Sequence, residues 1–176
     1  MTDKLPLSHP VLVASLPDTG TTVKLKPDAA TLAALAVQFG IPGIPKMTAQ
    51  VKLVPASKGR VQVSGLVEAV VTQTCVVSLE DFDTEISEEI DVTFAPPEQL
   101  PEIRPGAELD VTELDLPDPL IDGTVDAGAV AAEFLALGLD PYPRKPGVAF
   151  KGVVEMTDKE SSPFAGLAKL RSDDDK

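Results

Sequence analysis

Apolar and polar residues alternate with period two over three stretches of this chain and with helical period over two others. The longest alternation covers Arg60–Val77. Val61, Val63, Gly65, Val67, Ala69 and Val71 fall on one face, and Gln62, Ser64, Leu66, Glu68, Val70 and Thr72 on the other. Successive strand side chains point to opposite faces, so this run predicts a long strand with one buried side. Gly65 in its middle predicts a bulge or a bend that lets the strand curl. Lys46–Pro55 alternates at its centre, and Ser57-Lys58-Gly59 supplies a turn before the long strand. A turn at Glu80–Asp83 leads into Thr84–Phe94, where Ile86, Ile90, Val92 and Phe94 are the apolar positions. The three runs predict an antiparallel meander with one solvated face. Two shorter β-rich segments, Val11–Leu16 and Thr21–Lys26, precede them.

Two segments carry the helical period. Asp28 is placed as an N-cap after Pro27, and Gly40 as the residue just past the end. Between them Leu32, Leu35, Ala36 and Phe39 form one apolar stripe. The prolines of Ile41-Pro42-Gly43-Ile44-Pro45 stop that helix. Asp126 caps a second helix, Ala127–Leu139, with Val130, Phe134 and Leu137 on one face. Nearly every residue of it is apolar, which predicts a central position. Glu133 is its only charge: a polar residue at the edge of the core, or a contact residue. The fold class that results is α+β. A curled antiparallel sheet, meander or partly open barrel, carries two helices (28–39 and 127–139) on its apolar side. Pro96–Leu116 is an acidic, proline-rich insertion. Residues 1–150 form one domain, and residues 151–176 a flexible polar C-terminal tail. Within the tail, Pro163–Leu170 forms an amphipathic turn presenting Phe164, Leu167 and Leu170 to a partner or to its own domain.

Composition narrows the chemistry. Among 176 residues there is one Cys and one His, which excludes an internal disulfide, multi-Cys zinc sites and HExxH-type centres. Neither G-x-G-x-x-G nor G-x-x-x-x-G-K-[ST] occurs, so nucleotide-binding α/β folds lose their main support. No apolar run reaches the roughly 18 residues of a membrane span, and the first ten residues lack a signal-type apolar core. The expected compartment is the cytoplasm, the expected site holds no membrane, and no cofactor or metal is called for.

The net charge of −13 is unevenly distributed. Residues 1–60 carry seven basic and three acidic groups, and residues 141–176 carry seven and six. Residues 61–140 carry nineteen acidic groups against Arg104 alone. Such a block either keeps a small domain soluble or faces a basic partner. It repels a phosphate backbone, so an overall nucleic-acid-binding fold is unsupported and DNA is not an expected ligand.

Three groups are candidate sites. Cys75 has no His or Lys nearby in sequence, and reads as a small buried filler. Glu80, Asp81, Asp83, Glu85, Glu88, Glu89 and Asp91 lack calcium-loop spacing, and alternation should scatter them over both faces of a strand. In Asp140-Pro141-Tyr142-Pro143-Arg144-Lys145-Pro146-Gly147, three prolines stiffen a loop that displays an aromatic ring and two cations. Tyr142, Arg144 and Lys145 then contact RNA or protein, or Tyr142 packs as a lid over the second helix while the prolines end it.

Three segments resemble a known family. Val63-Ser64-Gly65…Gln73-Thr74-Cys75-Val76-Val77-Ser78-Leu79-Glu80 and Ile86…Phe94 are similar to the central β region of the YceD family. Asp122-Gly123…Asp126-Ala127-Gly128…Glu133…Leu139-Asp140-Pro141-Tyr142-Pro143-Arg144-Lys145-Pro146-Gly147 is similar to its later segment, and Pro163–Leu170 to its tail. The resemblance covers roughly residues 10–170 and is densest at 61–94 and 121–150. It implies a bacterial or plastid protein required for the accumulation or processing of large-subunit ribosomal RNA, with no enzymatic activity attached. Many members carry Cys-x-x-Cys-Leu where this chain has Cys75 to Leu79. Ser78 here replaces the second cysteine, which removes the warrant for a metal or redox pair. Resemblance and charge partition together imply a non-catalytic ribosome-biogenesis factor. Its partner is a basic ribosomal protein or an assembly factor, with large-subunit ribosomal RNA as a further contact. Tyr142, Arg144, Lys145, Glu133, Asp140, Phe164, Leu167 and Leu170 are the candidate contact residues. Two other classes stay open: a metal-dependent RNA-processing hydrolase, and a general acidic interaction module.

Overall fold

A computed structural model describes residues 6–100 and 116–149. The chain divides into two compact units, Met1–Pro146 and Gly147–Lys176, and the architecture below is that of the first. Most of the acidic insertion, and the tail with Phe164, Leu167 and Leu170, lie outside the described residues.

Strands β1 (Pro10–Leu12), β2 (Thr21–Leu25), β3 (Gly43–Pro55), β4 (Val61–Thr74), β5 (Asp81–Ala95), β6 (Asp118–Pro119) and β7 (Thr124–Asp126) are joined by helices α1 (Ala29–Phe39) and α2 (Ala127–Leu137). The main sheet has the order β2-β3-β4-β5-β6. β2 through β5 form the predicted antiparallel meander, and β6 adds a two-residue parallel contact with the end of β5. β1 and β7 make a separate two-stranded ribbon. The expected α+β class with a curled, unclosed sheet is what the chain adopts.

Strand parity places the core. Val51, Leu53, Val61, Val63, Val67 and Val71 are completely covered, and Ile86 and Ile90 of β5 join them from the same face. Leu35 and Ala36 of α1 lie on β3, while α2 lies on β4 and β5. The first helix follows its sequence signals: Asp28 accepts the Thr31 N–H at 2.8 Å, and Gly40 is left-handed at φ 67°. In the second helix the buried positions include Ala127, Ala131 and Leu135, whereas Leu137 is 72% exposed. Val130 is buried with them and Phe134 packs half-buried against the core, so of the expected Val130/Phe134/Leu137 face only Leu137 departs. A uniformly apolar helix carries little periodicity from which its orientation can be read.

Two further differences have local causes. The β4–β5 register runs unbroken from Val61↔Phe94 to Thr74↔Asp81, so Gly65 makes no bulge. Glycine is required there because a Cβ would run into the carbonyl oxygen of Gln50 and lie 3.1 Å from Val51 Cα on β3. The hairpin turn spans Cys75–Glu80 and not Glu80–Asp83. Cys75 N–H bonds to the Glu80 carbonyl at 2.9 Å, Leu79 N–H to the Cys75 carbonyl at 2.9 Å, and Leu79 sits at φ 60°. In addition, Val13–Ser15 is a 3-10 turn that ends β1 early.

Asp126 ties the ribbon to α2. Its carboxylate accepts the Ser8 hydroxyl at 2.6 Å and the N–H groups of His9, Gly128 and Ala129 at 2.7, 2.9 and 3.0 Å. Burial alone would raise its pKa, but the bonds from Ser8, His9, Ala129 and Gly128 hold it below the ordinary carboxylate value. A depressed carboxylate stabilises the fold above its unfolded pKa, and that contribution disappears as pH falls through the folded value. Asp126→Ala should cost about 1–2 kcal/mol at neutral pH. Urea melts below pH 4 should show a smaller difference between variant and parent than melts at pH 7.

Candidate partner-binding face

The outward side of the sheet is wet, and its charges are sorted by strand. Register and parity place Lys24 of β2 and Lys46 and Lys52 of β3 on it. Glu68 of β4 follows, and then Asp81, Asp83, Glu85, Glu89 and Asp91 of β5. The residues are exposed. The sharp charge partition along the sequence thus becomes a partition across one surface, cationic on β2–β3 and anionic on β5. The expectation that alternation scatters the β5 carboxylates over both faces is corrected. Five of them have odd numbers and share the outward face, and only Glu88 turns inward, where its Cγ would lie 2.6 Å from a Cβ placed at Gly138, the residue that caps the end of α2.

Neutral donors orient this stripe without discharging it. Thr74 Oγ1 donates to Asp81 at 2.7 Å and Thr72 Oγ1 to Asp83 at 2.6 Å. The Gln62 amide donates to Asp91, and Thr93 Oγ1 donates to Gln62 Oε1 at 2.7 Å, which fixes that amide. Carboxylates two residues apart on a strand stand about 7 Å from each other, within the Debye length of physiological salt, so their repulsion is only partly screened. A cationic surface laid along β5 relieves that repulsion. The carboxylates form a row; among the described residues no three His, Cys, Asp or Glu side chains group as metal ligands would.

At the hairpin end of the stripe, residues 140–145 dock onto the β4–β5 turn. The Gln73 amide donates to the Asp140 carbonyl at 2.9 Å, and the Val76 N–H to the Pro143 carbonyl at 2.9 Å. The Asp140 carboxylate accepts the Tyr142 N–H at 2.8 Å. Lys145 Nζ meets Glu80 Oε2 at 2.8 Å. That bond and the attraction of Glu80 raise the Lys145 pKa, and Lys145 in turn lowers that of Glu80. Tyr142 is 71% exposed, so it is no lid over α2, and Arg144 is exposed beside it. Asp140 and Lys145 therefore build the loop, while Tyr142 and Arg144 are what it displays. Glu133 is elsewhere, exposed on α2 at the rim of a different depression.

Sequence reasoning missed what Cys75 does. It is fully buried, as a filler would be, yet its Sγ accepts the N–H groups of Ser78 at 3.4 Å and Lys145 at 3.3 Å. The signal was unreadable because Lys145 arrives from seventy residues away. The Ser78 hydroxyl, the Ser78 N–H and the Lys145 N–H together lower the thiol pKa from 9.0 to about 6. A thiol depressed on folding adds stability above its unfolded pKa and loses it as pH falls through about 6. Ultraviolet titration of the thiolate should give a midpoint near 6; a midpoint at 9.0 would show that these donors do not act on it.

The fold and this face define an α+β scaffold that presents an ordered anionic strand and a stiff aromatic–cationic loop. A family model described as large ribosomal RNA subunit accumulation protein YceD matches residues 63–171. That span is more than half of the chain, which therefore belongs to the YceD family. It starts within β4, so the acidic stripe and the 140–145 loop lie inside it, and α1 and β2–β3 precede it. No curated protein and no solved structure matches the chain.

Proposed function

We propose that this chain is a non-catalytic factor in ribosome biogenesis that supports large-subunit ribosomal RNA accumulation by holding a basic ribosomal protein or assembly factor. The observation that carries the reading is the row Asp81, Asp83, Glu85, Glu89 and Asp91 on one solvated strand face, with Asp81, Asp83 and Asp91 oriented by neutral donors. Such a row attracts a cationic partner over distance and fixes its orientation, which is where electrostatic complementarity contributes most. Membership of a family described by large ribosomal RNA subunit accumulation supplies the context. Tyr142 and Arg144, on a loop stiffened by prolines, offer ribosomal RNA a stacking surface and a phosphate contact beside the protein-binding row. The cytoplasm is the compartment this reading requires.

Depletion of the protein followed by sedimentation of ribosomal particles tests the reading. Large subunits should fall relative to small ones, and precursors of the large ribosomal RNA should build up. Unchanged particle ratios and unchanged precursors would refute it.

A further inference from the structure

On the other side of the molecule, α2, β6 and the Ile121–Thr124 turn enclose a groove of about 590 Å³. Its floor is apolar, formed by Phe94, Pro119 and Val130. Ile121 stands at its edge with 71% of its surface in solvent. The turn that carries Ile121 is tight: Thr124 N–H bonds to the Ile121 carbonyl at 2.9 Å, and Asp122 and Gly123 are both left-handed at φ 51° and 65°. A large aliphatic side chain is thus held out on a rigid corner. The rim is acidic. Asp118, Asp122 and Glu133 are exposed and line the groove, and among the described residues no lysine, arginine or histidine does. Asp126 also borders it, but its carboxylate is occupied as the α2 cap.

We propose that this groove binds a cationic amphipathic segment of a basic protein, its aliphatic side chains on Ile121, Phe94 and Val130 and its lysines or arginines on Asp118, Asp122 and Glu133. An apolar floor alone fits many occupants. The one-signed rim selects a segment that is apolar on one side and positive on the other, and disfavours an acidic one. The inference rests on the reading that the chain acts by holding a basic protein, and it names a second grip distinct from the β5 row.

The test uses the full chain and two fluorescent probes: an amphipathic peptide of leucines and lysines, and a lysine-only peptide of equal charge. Ile121→Ser should weaken the leucine–lysine peptide about tenfold, because the exposed isoleucine loses its apolar contact while the charge of the rim is unchanged. Asp118→Asn with Glu133→Gln should weaken it several-fold. Binding of the lysine-only peptide should fall with lysine substitutions on β5 and not with Ile121→Ser. Ile121 is outside the core, so its variant should melt like the parent, which removes misfolding as a cause. The inference is overturned if the leucine–lysine peptide does not bind, if Ile121→Ser leaves its affinity unchanged, or if only the β5 substitutions weaken it. The last outcome spares the proposed function, whereas failure of both probes to bind counts against that function as well.

Discussion

Replacing Glu85, Glu89 and Asp91 with lysine is expected to weaken binding of a basic large-subunit protein by at least tenfold, and up to a few hundred-fold. Each exposed charge pair contributes about 0.2–1 kcal/mol, and reversal adds repulsion to the loss of three such pairs. The effect should be largest in low salt and shrink as salt rises, because these carboxylates lie at the surface. The fold should tolerate the change. All three side chains leave the sheet on its solvated face, and their β4 partners Val70, Leu66 and Ser64 carry no charge to be left unpaired. Calorimetric titration of parent and variant gives the number. Equal affinities would mean that the row is only a solubilising surface, the plainer alternative that composition allows.

Gly65→Ala should be among the most damaging single-atom additions to this protein. The new methyl meets backbone, the Gln50 carbonyl and the Val51 Cα, and has no flexible side chain to push aside. Overpacking costs about 1–3 kcal/mol, and contact with rigid backbone places this case near the top of that range. In a domain of this size the melting temperature should drop by roughly 10 °C. Because β3 and β5 both pair with β4 at this point, the damage should spread to the charged face as well. Gly40→Ala is a useful comparison, since it adds the same methyl where nothing lies within 4 Å and pays only for its left-handed backbone. If the two variants melt alike, the close approach at Gly65 does not constrain the sheet.

What could be read from the chain followed local chemistry. The Asp28-to-Gly40 helix announces itself through a cap, a stripe and a stop, each of which acts within a few residues. The faces of β4 were equally plain, because alternation leaves no freedom once one face is apolar. The hairpin was harder. Val76, Val77 and Leu79 look like more strand, and only the Cys75–Glu80 closure and bonds from the distant 140–145 segment turn them into a loop. Similarly, Lys145 read as a free cation until folding set Glu80 against it across sixty-five residues. The charged row was legible as composition but not as geometry. Its five members share parity within a register that starts at Asp81, three residues before the strand that alternation alone marks out.

In the proposed reading, the groove beside α2 and the row on β5 would grip different features of one basic partner. A protein that is basic throughout and carries a short amphipathic stretch would engage both, and two modest contacts on one scaffold add more affinity than either supplies alone.

Purified protein mixed separately with basic large-subunit proteins and with naked large-subunit ribosomal RNA, at low and at high salt, puts the whole reading at risk. Held against the cationic proteins, it should bind tightly in dilute buffer, lose most of that affinity as ions are added, and leave the RNA intact and at most weakly bound through Tyr142 and Arg144. Tight, salt-insensitive binding to the RNA alone, or its cleavage, would contradict the account.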